Sequence, residues 1–216
     1  MARNPGQTER VYHLIRDSII GSRFLPGVSL READLAAKYQ VSRNTIKKVL
    51  LMLDNDGLVT VEMNKGAKVR SYSLEEVAEF LELRQVLEGF ICRLAVPCFT
   101  EEGVAALFSI LEQMGECKDR GELAEYSRLN QEFHKRIFDT CPNHTAVEVT
   151  RTLKSQMRKY NTKTILIPTR PERSFAEHTA IARAIRDRDA PAAEQAMKEH
   201  LNNVREAFLQ NSSLLF

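Results

Sequence analysis

Apolar residues recur at helical spacing along most of the chain, and the polar residues that interrupt the spacing are few. Val11, Leu14, Ile15 and Ile19 mark a first helix, which Gly21 and then Pro26-Gly27 terminate. A second, short helix near Arg31 to Tyr39 turns Leu35 and Ala36 inward. After a tight break at Gln40-Val41, Ser42 is placed to cap a third helix, whose buried stripe is Ile46, Val49, Leu50 and Leu53. Gly57 ends it, and LVTVEMNKGAKV then alternates with period two on both sides of Asn64-Lys65-Gly66, which predicts a two-stranded hairpin. Three helices and a hairpin within residues 1–72 predict a winged helix-turn-helix.

From Ser73 onward the period is helical throughout. Ser73 and Glu76 have the spacing of a capping box and open a long helix that runs toward Pro97. Further helices are predicted at 101–117, 121–139, 144–165, 171–187 and 190–210. Thr100, Asn143 and Asp189 serve as caps, Gly115 and Gly121 fall in breaks, and Pro142, Pro168 and Pro171 lie outside helix interiors. The fold class is therefore mainly α: a winged helix-turn-helix with a β-hairpin wing over 1–72, then an all-α six-helix bundle over 73–216.

Composition adds a compartment. Apolar residues make up 43% of the chain and charged residues 28%, as in ordinary soluble proteins, and no run approaches the 18 or so apolar residues that a membrane span requires. The start, MARNPGQTERVY, lacks the apolar core of a signal peptide, so a cytoplasmic protein without a membrane partner is expected. Cys92, Cys98, Cys117 and Cys141 form no CxxC pair, which favours reduced thiols over disulfides or a thiolate metal site.

Charge changes the picture more. Residues 1–72 hold 12 Lys and Arg against 7 Asp and Glu, net +5, whereas 73–216 hold 19 against 22, net −3. A basic segment on an acidic one suggests a part that faces nucleic acid. With Ile46 and Val49 inward, the third helix leaves Arg43, Asn44, Thr45, Lys47 and Lys48 on its open side, headed by Ser42. Arg43 can donate to guanine O6 and N7, and Asn44 can read bases or grip phosphate. Lys47, Lys48, Lys65 and Lys68 can neutralise phosphates, with Lys65 at the wing tip able to reach a minor groove. Taken singly, each charge reads more readily as part of a solvated helix face, which is what most charge runs are.

In the bundle the informative residues are polar ones inside apolar stripes. One stripe is Tyr126, Asn130, Phe133, His134, Ile137; another is Phe175, His178, Ile181, Ala182, Ile185; a third includes Met197, His200, Leu201 and Val204. A single inward histidine is usually a satisfied core residue. Three of them, each with two nitrogens to satisfy, could share one cation, and Asn130, one turn from His134, could supply an oxygen. Such a set suits Zn, Ni, Mn or Fe and leaves room for water or a ligand carboxylate. His144, near a helix start, is expected to be exposed. Arg84 is the other anomaly, on the stripe Val77, Phe80, Arg84, Leu87, Ile91. Its anion is a nearby carboxylate such as Glu82 or Glu88, a dimer contact, or the carboxylate of a bound ligand; spacing leaves the three open.

SLREADLAAKYQVSRNTIKKVLLMLDNDGLVTVEMNKGAKV resembles the DNA-binding domain of the GntR family of bacterial transcription regulators. SLEEVAEFLELRQVLEGFICRLA, NQEFHKRIF and EHTAIARAIRDRDAPAAEQAMKEHL resemble the helical effector domain, FCD, of its FadR subfamily, and six helices match the shorter VanR-like version. The resemblance implies a homodimer that binds a palindromic operator in double-stranded DNA, usually as a repressor that a small organic or sugar acid releases. By position it implies a divalent metal held by Asn130, His134, His178 and His200, facing the acid and Arg84. Two departures stand out. The recognition helix commonly reads Ser-Arg-Thr-Pro-Val-Arg-Glu, whereas Asn44, Thr45, Lys47 and Lys48 replace its Thr, Pro, Arg and Glu here. Many relatives carry Asp at the first ligand position, where this chain has Asn130, and a neutral oxygen lowers affinity or changes the preferred metal.

Two other classes compete. An enzyme could use the three histidines as a catalytic metal site, but HExxH is missing, no nucleophile and base pair stands out, and no carboxylate shares the histidine stripes. A DNA-binding protein with an inert helical dimerisation domain would need the histidines only as core residues. A non-enzyme is the expectation.

Overall fold

The computed structural model describes residues 6–21, 23–62, 66–156 and 164–211. The chain divides into two compact units, Met1–Ser73 and Leu74–Phe216.

In the first unit, α1 (Gln7–Ile20), α2 (Glu32–Tyr39) and α3 (Arg43–Asn55) surround a core that includes Val11, Ile15, Leu35, Ile46, Leu50 and Leu53. Gln40, in the left-handed region at φ 54, turns the chain out of α2, and Ser42 Oγ accepts the Thr45 amide at 3.0 Å to start α3. Gly57, at φ 69, follows α3, and the Tyr72 hydroxyl donates to its carbonyl at 2.9 Å.

The wing has one strand more than the alternating pattern predicted. β2 (Val59–Glu62) and β3 (Gly66–Val69) pair antiparallel with Val59 opposite Val69, and β1 (Ser29–Leu30) adds to the other edge of β3, in the order β1-β3-β2. A two-residue strand is too short to display period two, so β1 leaves no trace in the sequence. Gly66 explains the approach of β1 to β3: its φ is +105, and a Cβ there would stand 2.3 Å from the Leu30 carbonyl oxygen. Asn64 and Lys65, the expected turn and wing-tip residues, lie outside the described residues.

The second unit holds six α-helices among the described residues: α4 (Leu74–Ala95), α5 (Glu101–Asp119), α6 (Leu123–Thr140), α7 (His144–Gln156), α8 (Arg170–Arg186) and α9 (Ala190–Gln210). α4 packs along α9, α9 along α8, and α5 against both α6 and α8, while α7 lies on α4. Thr100, Asn143 and Asp189 each cap the next helix through a side-chain oxygen. All four cysteines are free thiols.

Two expectations need correcting. Gly115 does not break a helix but sits inside α5, where the missing side chain admits the Phe175 ring of α8 to within about 3.3 Å of a Cβ position. The helix expected over 144–165 is described only to Gln156, and Thr164–Leu166 is a separate 3-10 turn.

Candidate metal centre and nucleic-acid-facing helix

His134 of α6, His178 of α8 and His200 of α9 project from three helices into one buried point, where they are 5%, 0% and 3% exposed. One donor atom from each lies within 4.8 Å of the others, and the Nε2 atoms of His134 and His178 are 3.3 Å apart. The Phe133 ring packs edge-on against His178 and walls the cluster from the core.

The outward nitrogens decide what the inward ones can do. His178 Nδ1 is 2.6 Å from the Ser174 carbonyl, an obligate acceptor, so Nδ1 carries the proton and Nε2 keeps its lone pair. His200 Nδ1 is 2.7 Å from Glu177 Oε2. Burial raises the Glu177 carboxyl, but His200 and Arg170 overturn this and hold it near 2, so it is an anion that again leaves His200 Nε2 as a lone pair. Glu177 is fixed in turn by Arg170, at 3.0 and 2.8 Å across both oxygens, and by Asn203 at 2.9 Å.

His134 cannot be satisfied in either neutral form. Its Nδ1 stands 3.4 Å from Glu88 Oε2 and makes no proper hydrogen bond. If the proton is on Nδ1, two Nε2 lone pairs face each other at 3.3 Å; if it is on Nε2, the Nδ1 lone pair faces a carboxylate. A second proton is resisted, because burial, with Lys154 next, pushes His134 down to about 3. Burial likewise lowers His200 to about 4, and it takes His178 well below its usual range. A cation among the Nε2 atoms would remove the conflict, and imidazoles whose second nitrogen donates to a carboxylate or carbonyl are the usual metal ligands. Asn130 Oδ1 fits the same donor set: it is buried without a hydrogen-bond partner among the described residues.

Beside the cluster opens a cavity of about 290 Å³, whose wall includes Arg84, Asn130, His134, Lys154, Arg170 and His200. Arg84, 4% exposed, donates through Nε to the fully buried Glu88 at 2.7 Å, whereas Glu82 pairs with Arg205. Glu88 also holds Lys154 at 3.2 Å. Burial alone would raise its pKa, but Arg84, Lys154 and His134 together carry it well below the carboxylate range. Lys154 and Arg170 leave no signal in the sequence, and Glu177 leaves one only as the acid directly before an inward histidine. His144 is exposed, as expected.

In the first unit, Arg43, Asn44, Lys47 and Lys48 are exposed along α3, and Lys68 is exposed on β3. Ser42 is exposed and Thr45 half-buried, and their hydroxyls stand 2.9 Å apart within the cap. Lys65 is among the residues not described.

The family profile for bacterial regulatory proteins of the gntR family matches residues 7–69, and that for the FCD domain matches 79–203. The chain belongs to the GntR family. This regulator is 25% identical over 209 residues to the HTH-type transcriptional repressor RspR of Escherichia coli, covering 96% of this chain and 92% of that one. It is 26% identical to the HTH-type transcriptional regulator YdhC of Bacillus subtilis, covering 89% and 86%. Among solved structures, E. coli McbR/YncC matches with a TM-score of 0.74 at 18% identity, covering 95% of this chain and 98% of the other, a likeness of fold. The regulator is a DNA-binding transcription regulator with an FCD domain. Among its described residues, no helix is long and apolar enough to cross a membrane.

Proposed function

We propose that this regulator is a ligand-responsive repressor, a cytoplasmic homodimer whose two winged helices bind a palindromic operator and whose helical unit binds a small organic or sugar acid at a divalent-metal centre. The observation that carries the reading is His134, whose Nε2 lies 3.3 Å from that of His178 and whose Nδ1 faces Glu88 at 3.4 Å, so that neither neutral tautomer satisfies both sides. Asn130, His134, His178 and His200 hold the ion, and a set of nitrogens with one oxygen suits Zn, Ni, Mn or Fe. When bound, the ion supplies a Lewis-acidic position for the acid's carboxylate. Arg84 contributes its guanidinium from the cavity wall to the same carboxylate.

On the DNA side, Arg43 reads guanine and Asn44 reads bases or phosphate, while Ser42, Thr45, Lys47, Lys48 and Lys65 hold the backbone. Release from the operator requires the acid to bind the free and DNA-bound forms with different affinity.

The test is elemental analysis of protein purified without chelator, followed by thermal melts with organic and sugar acids, with and without divalent metal. Bound metal, a melting point that an acid raises only in metal-loaded protein, and loss of operator binding on adding that acid are the expected results. Protein that carries no metal and gains no stability from one would reduce the helical unit to an inert dimerisation domain.

A further inference from the structure

The cavity wall carries a charge imbalance that the metal centre does not explain. Arg84, Lys135, Arg151, Lys154 and Arg170 line it, and no carboxylate does among the described residues. Among the described residues, the answering carboxylates stand behind the wall and number fewer than the cations. Glu177 serves Arg170, but Glu88 is shared by Arg84 and Lys154, and Asp139 by Lys135 and Arg151.

The centre does nothing to correct this. Three neutral imidazoles and an amide oxygen bring no negative charge, so a divalent ion held there keeps its full charge beside the shared Glu88. A monocarboxylate answers that ion and Arg84, and Lys154 remains a partly buried cation on a carboxylate that it shares. Lys154 and Arg151 are three residues apart on α7 and therefore share one face of that helix, with the Phe138 ring 4.9 Å beneath the Lys154 ammonium. Lys154, inside the cavity at Glu88, and Arg151, at its rim at Asp139, are thus neighbouring cations on one helix, each with a counter-ion that it shares. Positive charge divided between the histidine centre and this pair suits two separate carboxylates better than one compact dianion such as a phosphate ester.

We propose that the cavity takes a small dicarboxylate, one carboxylate at the Asn130 and histidine centre beside Arg84 and the other held by Lys154 and Arg151. The proposal rests on the acid-binding reading above and narrows it, with Lys154 as the residue that determines specificity.

Calorimetric titration of the full-length, Ni²⁺-loaded protein with acids matched except for one carboxylate tests it: butyrate with succinate, 3-hydroxybutyrate with malate, gluconate with glucarate. At least one diacid should bind about tenfold tighter than its partner, as an added charge-assisted contact implies. K154M, which keeps the stem over Phe138, should bring that diacid down to the level of its monoacid, with metal content and melting point reporting that the variant is folded. R151Q, at the exposed rim, should do the same to a smaller degree. Equal binding of both members of every pair, or equal weakening of both in K154M and R151Q, overturns the dicarboxylate assignment and leaves acid binding intact. If no acid of either kind binds the metal-loaded protein, the acid-binding reading falls and takes this proposal with it.

Discussion

The two units place their polar chemistry on opposite sides of the boundary with water. Arg43, Asn44, Lys47 and Lys48 are exposed on α3, and the hydrogen bonds near them serve only to start the helix. In the helical unit His134, His178, His200, Arg84 and Glu88 are buried, and each is tied to another. A solvated charge can be removed and water takes its place, whereas removing one member of a buried network leaves its partners unsatisfied in a low dielectric. Substitutions on α3 should therefore act singly and modestly, and substitutions at the centre should act together and strongly.

His178→Ala should have the largest effect in the helical unit. His178 is the most deeply buried of the three histidines, and its loss removes a proposed ligand and one side of the Nε2 conflict. Metal affinity should fall by more than the roughly 10–100-fold that loss of an outer hydrogen-bond partner costs. Response to acid should vanish with it, while operator binding without acid remains. Elemental analysis, thermal melts and mobility shifts on one preparation check all three. A variant that keeps its acid response would separate the histidines from the ligand.

How much of this was legible in the sequence follows the same boundary. Caps are local, so Ser42, Thr100, Asn143 and Asp189 announce the helix starts that they make. Inward polar residues are local as well, because His134, His178 and His200 interrupt apolar stripes that only a helix could bury. What the residues meet is not local. Glu88 was one of two carboxylates within reach of Arg84, and only packing reveals that Glu82 turns to Arg205 instead and that Lys154 arrives from α7. Arg170 and Glu177 are seven residues apart on α8, and no stripe marks them until α9 places His200 and Asn203 against the same carboxylate. Gly115 reads as a break in the sequence for a similar reason: its purpose lies in the Phe175 ring across the helix interface.

Glu177→Gln tests whether the buried side is coupled as claimed. Glutamine keeps the shape but gives up the charge that holds the His200 Nδ1 proton and both arms of Arg170. Metal affinity should drop about 10–100-fold with every proposed ligand still in place. Unchanged metal affinity would mean that His200 needs no help from outside the centre. On the exposed side, Arg43→Ala should cost about 1–3 kcal/mol on operator DNA and little on random DNA, flattening the preference between them. Competition binding at fixed salt measures the ratio, and equal losses on both DNAs would move Arg43 from base reading to phosphate contact.

The smallest expected effect asks whether the exposed side is as uncoupled as it looks. Ser42 is the residue of the α3 surface whose side chain has a defined structural task, accepting the Thr45 amide at 3.0 Å. Loss of such a cap costs about 1 kcal/mol, which for a unit of this size is a fall of about 4–8 °C in melting temperature. Ser42→Ala should therefore soften the start of α3 without changing which base Arg43 reads, so the melting point should fall while the ratio of operator to random binding holds. If that ratio falls instead, the hydroxyl contacts DNA as well as the helix, and the α3 surface is coupled in the way that the buried centre is.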